Sequence, residues 1–141
     1  MSVSANANLT GNIAILGIDG KYMRVTDTNG MEFGTQFMDD SCKFQVKQGS
    51  NSKIQLVSMK NQKYVNMYYI NDVKCEGDSG GLSMGIVYLT NGMCNLTISG
   101  YQGQDGRTAF LSSQAGSPDY KGSLAVKDLE DITCCFTVQN L

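Results

Sequence analysis

The chain has 141 residues, room for one domain at roughly 100 to 200 residues each, with 11 Lys and Arg against 13 Asp and Glu and a net charge of -2. That balance lacks the basic footprint of a nucleic-acid binder, and no apolar run approaches the ~18 residues of a membrane span. Neither His nor Trp occurs, so the commonest general base and metal ligand is missing, along with one class of sugar-stacking ring.

In chain order, apolar residues recur at spacing two: Ile13-x-Ile15, Met31-x-Phe33, Phe44-x-Val46, Ile54-x-Leu56, Val73-x-Cys75, Ile86-x-Tyr88, Leu96-x-Ile98, Leu124-x-Val126 and Phe136-x-Val138. Turn clusters such as Asp27-Thr-Asn-Gly30, Gln48-Gly-Ser-Asn51 and Thr90-Asn-Gly92 separate them. This is the pattern of short strands, and it predicts an all-β chain. Ser123 to Cys135 dissents, because Val126, Leu129 and Ile132 also fit one face of a short helix; one helical turn at most is expected there. The predicted core is Ile15, Phe33, Phe44, Val46, Leu56, Val73, Ile86, Leu96, Ile98, Leu124, Val126, Phe136 and Val138.

An internal repeat organises these strands. Gly20-Lys21-Tyr22 recurs as Gln62-Lys63-Tyr64, and the same shift carries Met31-x-Phe33 onto Val73-x-Cys75 and Phe44-x-Val46 onto Ile86-x-Tyr88. A looser third copy runs through Leu96-x-Ile98, Gly106-Arg107-Thr108, Leu124-x-Val126 and Phe136-x-Val138, with a longer loop over Gln114 to Gly122. An alternative register moves Leu82-x-Met84 and Cys94-x-Leu96 into the third and fourth strand slots of the second unit without changing the threefold count. A four-strand unit cannot bury its own apolar face, so three such units, at approximately 12–48, 53–90 and 94–141, close on each other around one core. That architecture is a β-trefoil; a six- or seven-strand sandwich explains the alternation but not the period.

The strings Gly20-Lys-Tyr-Met-Arg-Val25, Met31-x-Phe33, Asp39-Asp-x-Cys-Lys-Phe44-x-Val46, Lys53-Ile-x-Leu-Val-Ser58 and Gln62-Lys-Tyr-Val65 resemble the repeating unit of two β-trefoil groups. These are the amaranthin-type plant agglutinin domains and the fascin-like domains. The resemblance is best over residues 13 to 75. It implies the fold, and beyond it a carbohydrate-binding lectin-like module or, alternatively, a fascin-like actin or cytoskeletal binder. Tyr22 and Tyr64 have a plain physical reading within it: a tight turn, then a ring packing inward.

Gly77-Asp-Ser79-Gly-Gly81 is similar to the nucleophile segment of chymotrypsin-like proteases, but Ser79 has no His to take its proton. A Gly-rich connection between third and fourth strands is the better reading. The five Cys number an odd set without C-x-x-C spacing; Cys42, Cys75, Cys94 and Cys135 sit beside or within apolar strands, where a thiol acts as a small hydrophobe with a raised pKa. Asp39-Asp40 and Glu130-Asp131 lack the alternating pattern of a calcium loop, and no phosphate-cradling Gly pattern occurs. No catalytic residue, metal site or cofactor is expected. The first eight residues lack the basic start and apolar stretch of a signal peptide, which with unpaired cysteines points to the cytoplasm. On that reading the sequons Asn8-Leu-Thr10 and Asn95-Leu-Thr97 go unused.

The remaining signal is on the hairpins between the second and third strands. Unit one has Asp27-Thr28-Asn29-Gly30, unit two Tyr68-Tyr69-Ile70-Asn71-Asp72, unit three Ser117-Pro118-Asp119-Tyr120-Lys121. Two of these combine rings with Asp or Asn, the pairing that takes the C–H face and the hydroxyls of a sugar. The same residues also suit plain turns. The candidate carbohydrate-binding residues are Tyr68, Tyr69, Asn71, Asp72, Asp119 and Tyr120. Unit two leads, with Tyr69 favoured as the ring if Tyr64 points inward along an unbroken strand. Expected partners are glycans or glycoproteins, or actin or another protein under the alternative; a trefoil protease inhibitor using Glu76 to Gly81 or Gln114 to Gly122 is a third reading, and a homo-oligomer remains open.

Overall fold

The computed structural model describes residues 10–49, 52–69, 72–98, 109–113, 125–127 and 132–141, with the backbone alone at 68, 69, 72, 109 and 125–127. Among these residues twelve strands fall into three sets of four. Unit one holds β1 (Asn12–Leu16), β2 (Tyr22–Val25), β3 (Met31–Thr35) and β4 (Phe44–Gln48). Unit two holds β5 (Ile54–Ser58), β6 (Tyr64–Tyr69), β7 (Asp72–Gly77) and β8 (Gly85–Tyr88). Unit three holds β9 (Cys94–Ile98), β10 (Ala109–Ser112), β11 (Ala125–Lys127) and β12 (Thr137–Asn140). Two 3-10 turns are described over their whole length, Asp40–Cys42 and Ile132–Cys134. The second is the single turn expected within Ser123 to Cys135.

Alternation does what the spacing predicts. In β3, Met31 and Phe33 are buried while Glu32 and Gly34 face outward; in β4, Phe44 and Val46 are buried while Lys47 is exposed. Turns close with backbone bonds, as where the Gly49 N–H reaches the Lys53 carbonyl at 2.8 Å and the Leu89 N–H reaches that of Met93 at 2.8 Å. In the second of these, Gly92 takes a positive φ of 84° that a side chain would oppose.

Every strand neighbour is antiparallel. An eight-stranded sheet runs β3-β2-β1-β4-β5-β6-β7 with β12 on the free side of β1, and a four-stranded sheet runs β11-β10-β9-β8. The two meet at single bridges, Ile54 with Met84 and Cys94 with Phe136, so the ladders stop short of a closed barrel. Each bridge carries two backbone hydrogen bonds of 2.8 to 2.9 Å.

These bridges correct the repeat. Ile13 pairs with Phe44, Ile54 with Met84 and Cys94 with Phe136, so the counterpart of Phe44 in unit two is Met84 rather than Ile86. The shift of 42 holds through the second and third strands, where Met23 opposite Phe33 corresponds to Val65 opposite Cys75. The β7–β8 connection is then two residues shorter than its equivalent. Met84 is accordingly 0% exposed, while Ile86 is only half-buried against the core.

Of the predicted core, Ile15, Phe33, Phe44, Val46, Leu56, Val73, Leu96, Ile98 and Phe136 are buried, and Val138 is partly buried. Leu124 lies outside the described residues, as does the side chain of Val126. Phe33 of unit one and Phe136 of unit three stack with centroids 5.3 Å apart, so the core is shared between units. Tyr22 and Tyr64 are half-buried, and the next residues, Met23 and Val65, take the inward places. The Tyr22 hydroxyl donates to Gln139 Oε1 at 3.0 Å instead of entering the core. Among the cysteines, Cys134 is buried and Cys135 half-buried, because the 3-10 turn before β12 points the first of the pair inward.

Candidate functional site

The unit-two hairpin brings the backbones of Tyr69 and Asp72 directly opposite each other, as paired residues at the tip of β6 and β7. Its base is fixed by Val65, Val73 and Cys75, all buried, with Met67 packed on the core. The register shifts between Tyr64 and Val65 and again between Met67 and Tyr69. That removes the premise for choosing Tyr69 over Tyr68, since the strand is not unbroken and Tyr64 does not point inward. Asn71, Asp119 and Tyr120 lie outside the described residues, as do the side chains of Tyr68, Tyr69 and Asp72.

The unit-one hairpin is used differently. Asp27 pairs with Lys60 Nζ at 2.7 Å, and that hydrogen bond holds the Asp27 carboxyl below the usual carboxylate range. Asn29, at a positive φ of 67°, presents its carbonyl to the Cys75 N–H at 2.7 Å and its Oδ1 to Asn61 Nδ2 at 3.1 Å. Asn61 Nδ2 also donates to the Cys75 carbonyl at 2.9 Å, while Asn61 Oδ1 accepts from the Lys63 N–H at 3.0 Å. A backbone bridge between Gly30 and Lys74 completes the contact. Asp27 and Asn29, the polar turn residues of unit one, therefore clamp that unit to unit two.

The Gly77–Gly81 string is explained by packing. A Cβ at Gly81 would strike the Val65 carbonyl and sit 2.9 Å from Tyr64 Cβ, so the loop folds tightly onto β6. Gln55 Nε2 donates to the Gly81 carbonyl at 3.0 Å, the Leu82 N–H reaches the Val65 carbonyl at 2.9 Å, and Asp78 pairs with Lys63. Ser79 is exposed in the β7–β8 connection, where the sequence placed it. Of the two loops named for an inhibitor, Glu76 to Gly81 is tied to β6 with Asp78 and Ser79 exposed, and Gln114 to Gly122 lies outside the described residues.

The thiols are packing groups. Burial pushes Cys75 and Cys94 up to about 11, with the neighbouring Cys135 adding to the shift at Cys94. The Cys75 thiol donates to the Lys63 carbonyl at 3.1 Å. Among the described residues no group of three or more Cys, Asp or Glu is placed to hold a metal ion. Asp39 caps the 3-10 turn by accepting from the Ser41 N–H at 2.9 Å, and Asp40 lies 3.5 Å from Lys43 Nζ. Asn95 of the second sequon is 2% exposed and its Nδ2 donates to the Cys134 carbonyl at 3.0 Å, so the folded chain does not present it; the apolar neighbours in Cys94–Ile98 were the signal for that. No helix among the described residues is long and apolar enough to cross a membrane.

No protein-family model matches the chain, and no curated protein sequence matches it significantly. Solved structures do. The designed threefold-symmetric protein ThreeFoil is similar at a TM-score of 0.74 and 13% identity, covering 93% of this chain and 99% of that one. SeviL bound to the asialo-GM1 saccharide is similar at 0.72 and 11%, covering 94% and 98%. The Macrolepiota procera ricin B-like lectin in complex with lactose is similar at 0.72 and 10%, again covering 94% and 98%. The fold is a β-trefoil. Within this trefoil the three second-to-third-strand hairpins differ in sequence, and that of unit one contacts unit two through Asp27, Asn29 and Gly30.

Proposed function

We propose that the protein is a non-catalytic saccharide-binding module and that its site is the unit-two hairpin. The observation that carries this is the backbone pairing of Tyr69 with Asp72 across the hairpin tip, on a strand pair anchored by buried Val65, Val73 and Cys75. The equivalent Asp27 and Asn29 of unit one are committed to an inter-unit clamp. Two trefoils of the same architecture are solved with saccharides, which supports the ligand class. In this reading Tyr68 or Tyr69 supplies the ring, and Asp72 and Asn71 take hydroxyls. The chain has no His, and among the described residues burial keeps Cys75 and Cys94 protonated.

A glycan array on the wild-type protein, followed by titration calorimetry on Tyr69→Ala and Asp72→Ala, tests the reading. Each substitution is expected to weaken binding by about tenfold or more, since hydrogen bonds to a charged acceptor are worth roughly 1.5–3 kcal/mol. Unchanged affinity in both moves the site off this hairpin, and an array with no glycan retained overturns the ligand class.

A further inference from the structure

The tetrapeptide Thr-Asn-Gly-Met occurs twice, at residues 28–31 in the β2–β3 turn and at residues 90–93 in the β8–β9 turn. An Asn followed by Gly is the pair best suited to cyclise on itself, because the glycine has no Cβ to crowd the approach of its nitrogen to the Asn amide carbon. The Gly nitrogen attacks Asn Cγ and a C–N bond forms; the Cγ–Nδ2 bond breaks, and the amide nitrogen leaves as ammonia with the proton that the Gly nitrogen has given up. Water then opens the cyclic imide at either carbonyl. The products are Asp and isoaspartate, the second with a main chain longer by one methylene. Both sites have the same local sequence, so any difference in reactivity comes from the fold.

In the β2–β3 turn the reacting groups are engaged. The attacking nitrogen of Gly30 donates its proton to Thr26 Oγ1 at 3.0 Å, and Asn29 Oδ1 accepts from Asn61 Nδ2 at 3.1 Å. The main chain is pinned as well, the Asn29 carbonyl by the Cys75 N–H at 2.7 Å and Gly30 by its bridge to Lys74. Ring closure needs rotation of the Asn29 side chain and peptide, which breaks these contacts between units. In the β8–β9 turn, by contrast, Asn91 and Gly92 are exposed. Asn91 Oδ1 accepts from the Met93 N–H at 3.0 Å, and the Gly92 N–H donates to the Leu89 carbonyl at 3.1 Å. The hydrogen bonds described for this pair lie within residues 89–93, so ring closure there disturbs one surface turn.

The chain also holds an example of the product. Residues 17–21 form the same turn with Asp19-Gly20 in place of Asn91-Gly92: the Gly17 N–H reaches the Lys21 carbonyl at 2.8 Å and the Gly20 N–H the Gly17 carbonyl at 3.1 Å, as the Leu89 N–H reaches that of Met93 at 2.8 Å and the Gly92 N–H that of Leu89 at 3.1 Å. Gly20 and Gly92 take φ values of 82° and 84°. The Lys21 N–H donates to Asp19 Oδ1 at 3.3 Å, where the Met93 N–H uses Asn91 Oδ1. A carboxylate therefore suits position 91. We propose that Asn91 is a site of spontaneous deamidation in the folded protein, its aspartate product accommodated by the turn, and that the clamp between units one and two protects Asn29 from the same reaction. Conversion adds one negative charge to a chain of net charge -2.

The test incubates the whole protein at mildly alkaline pH, folded and in denaturant, and follows both Asn-Gly peptides by mass spectrometry, with isoelectric focusing to read the added charge. In denaturant the two sites are expected to convert at similar rates. In the folded protein Asn29 is expected to lag Asn91 by about tenfold or more, since hydrogen bonds between units must open first. Asn61→Ala is expected to speed conversion at Asn29 and leave Asn91 unchanged, and Asn91→Asp to keep the thermal midpoint of the wild type. Folded protein in which Asn29 converts as fast as Asn91, or in which Asn91 resists as Asn29 does, overturns the proposal. A folded Asn61→Ala variant with Asn29 still protected overturns the role of the clamp, and a lowered midpoint in Asn91→Asp overturns the accommodation of the product. Should Asn61→Ala not fold, the comparison of folded with denatured wild type decides by itself.

Discussion

The hairpins of units one and two join equivalent strand pairs, β2–β3 and β6–β7, and diverge at their turns. In unit one the turn residues Asp27 and Asn29 reach across to Lys60, Asn61 and Cys75, Asn29 through its carbonyl and side-chain oxygen and Asp27 through a surface ion pair. In unit two the tip is set by Tyr69 opposite Asp72, above a base anchored by Val65, Val73 and Cys75. A threefold fold thus does not imply three equivalent sites: closing the repeats on each other consumes polar groups from one hairpin, and only those left over can meet a ligand.

The comparison can be broken most strongly beneath the unit-two hairpin. Gly81→Ala is expected to destabilise by about 3 kcal/mol, the upper part of the range for overpacking, because its Cβ meets the Val65 carbonyl and the β-carbon of Tyr64. A thermal midpoint within a degree of wild type would show that the loop moves aside easily. The clamp itself rests on Asn61, and Asn61→Ala should cost about 2 kcal/mol, since it leaves Asn29 Oδ1 and the Cys75 carbonyl without that donor. Denaturant titration measures the loss, and under the proposed function glycan retention should survive it.

A pH effect sharpens the same region, because Cys75 sits beneath the clamp. Its thiol and that of Cys94 are raised from 9.0 to about 11 in the folded protein. Between those values the unfolded chain has lost protons that the native chain keeps, so ∂ΔG/∂pH is negative and stability falls as pH rises from about 9 to about 11; below 9 the contribution is fully present. Unfolding titrations across this range, repeated on Cys75→Ser, should show a shallower alkaline fall in the variant. The smallest effect belongs to Ser79→Ala, a change at an exposed loop hydroxyl expected to stay within about 0.5 kcal/mol. It should leave glycan retention unaltered, and a measurable hydrolysis lost with it would reinstate the Gly77–Gly81 string as a catalytic motif.

Much of this was legible residue by residue. Met31-x-Phe33 and Phe44-x-Val46 announce strands with one buried face, and Asp27-Thr-Asn-Gly30 a turn, because alternation and turn chemistry are local properties that tertiary contacts only reinforce. The exposure of Phe37 is not legible in the sequence, since a lone aromatic in a loop has no periodicity to mark whether it faces in or out. Tyr22 and Tyr64 were assigned inward because a large ring argues for burial, but β2 and β6 each put the following residue on the core face, and a phase error of one reverses every side chain in a strand.

By itself, the sequence determined an all-β chain of three four-strand units, since spacing-two apolar pairs recurring at a near-constant period require repeats that bury their faces on one another. Only the tertiary structure decided which residues occupy equivalent places. Met84 replaces Ile86 as the unit-two counterpart of Phe44 because strand register depends on the length and packing of the connection before it, where the Val65 carbonyl and Tyr64 leave no room beside Gly81. Likewise, Asn29 became a clamp and Asn95 a buried donor through partners 32 and 39 residues away along the chain. Such contacts exist only once the units have closed, and no local pattern in the chain encodes them.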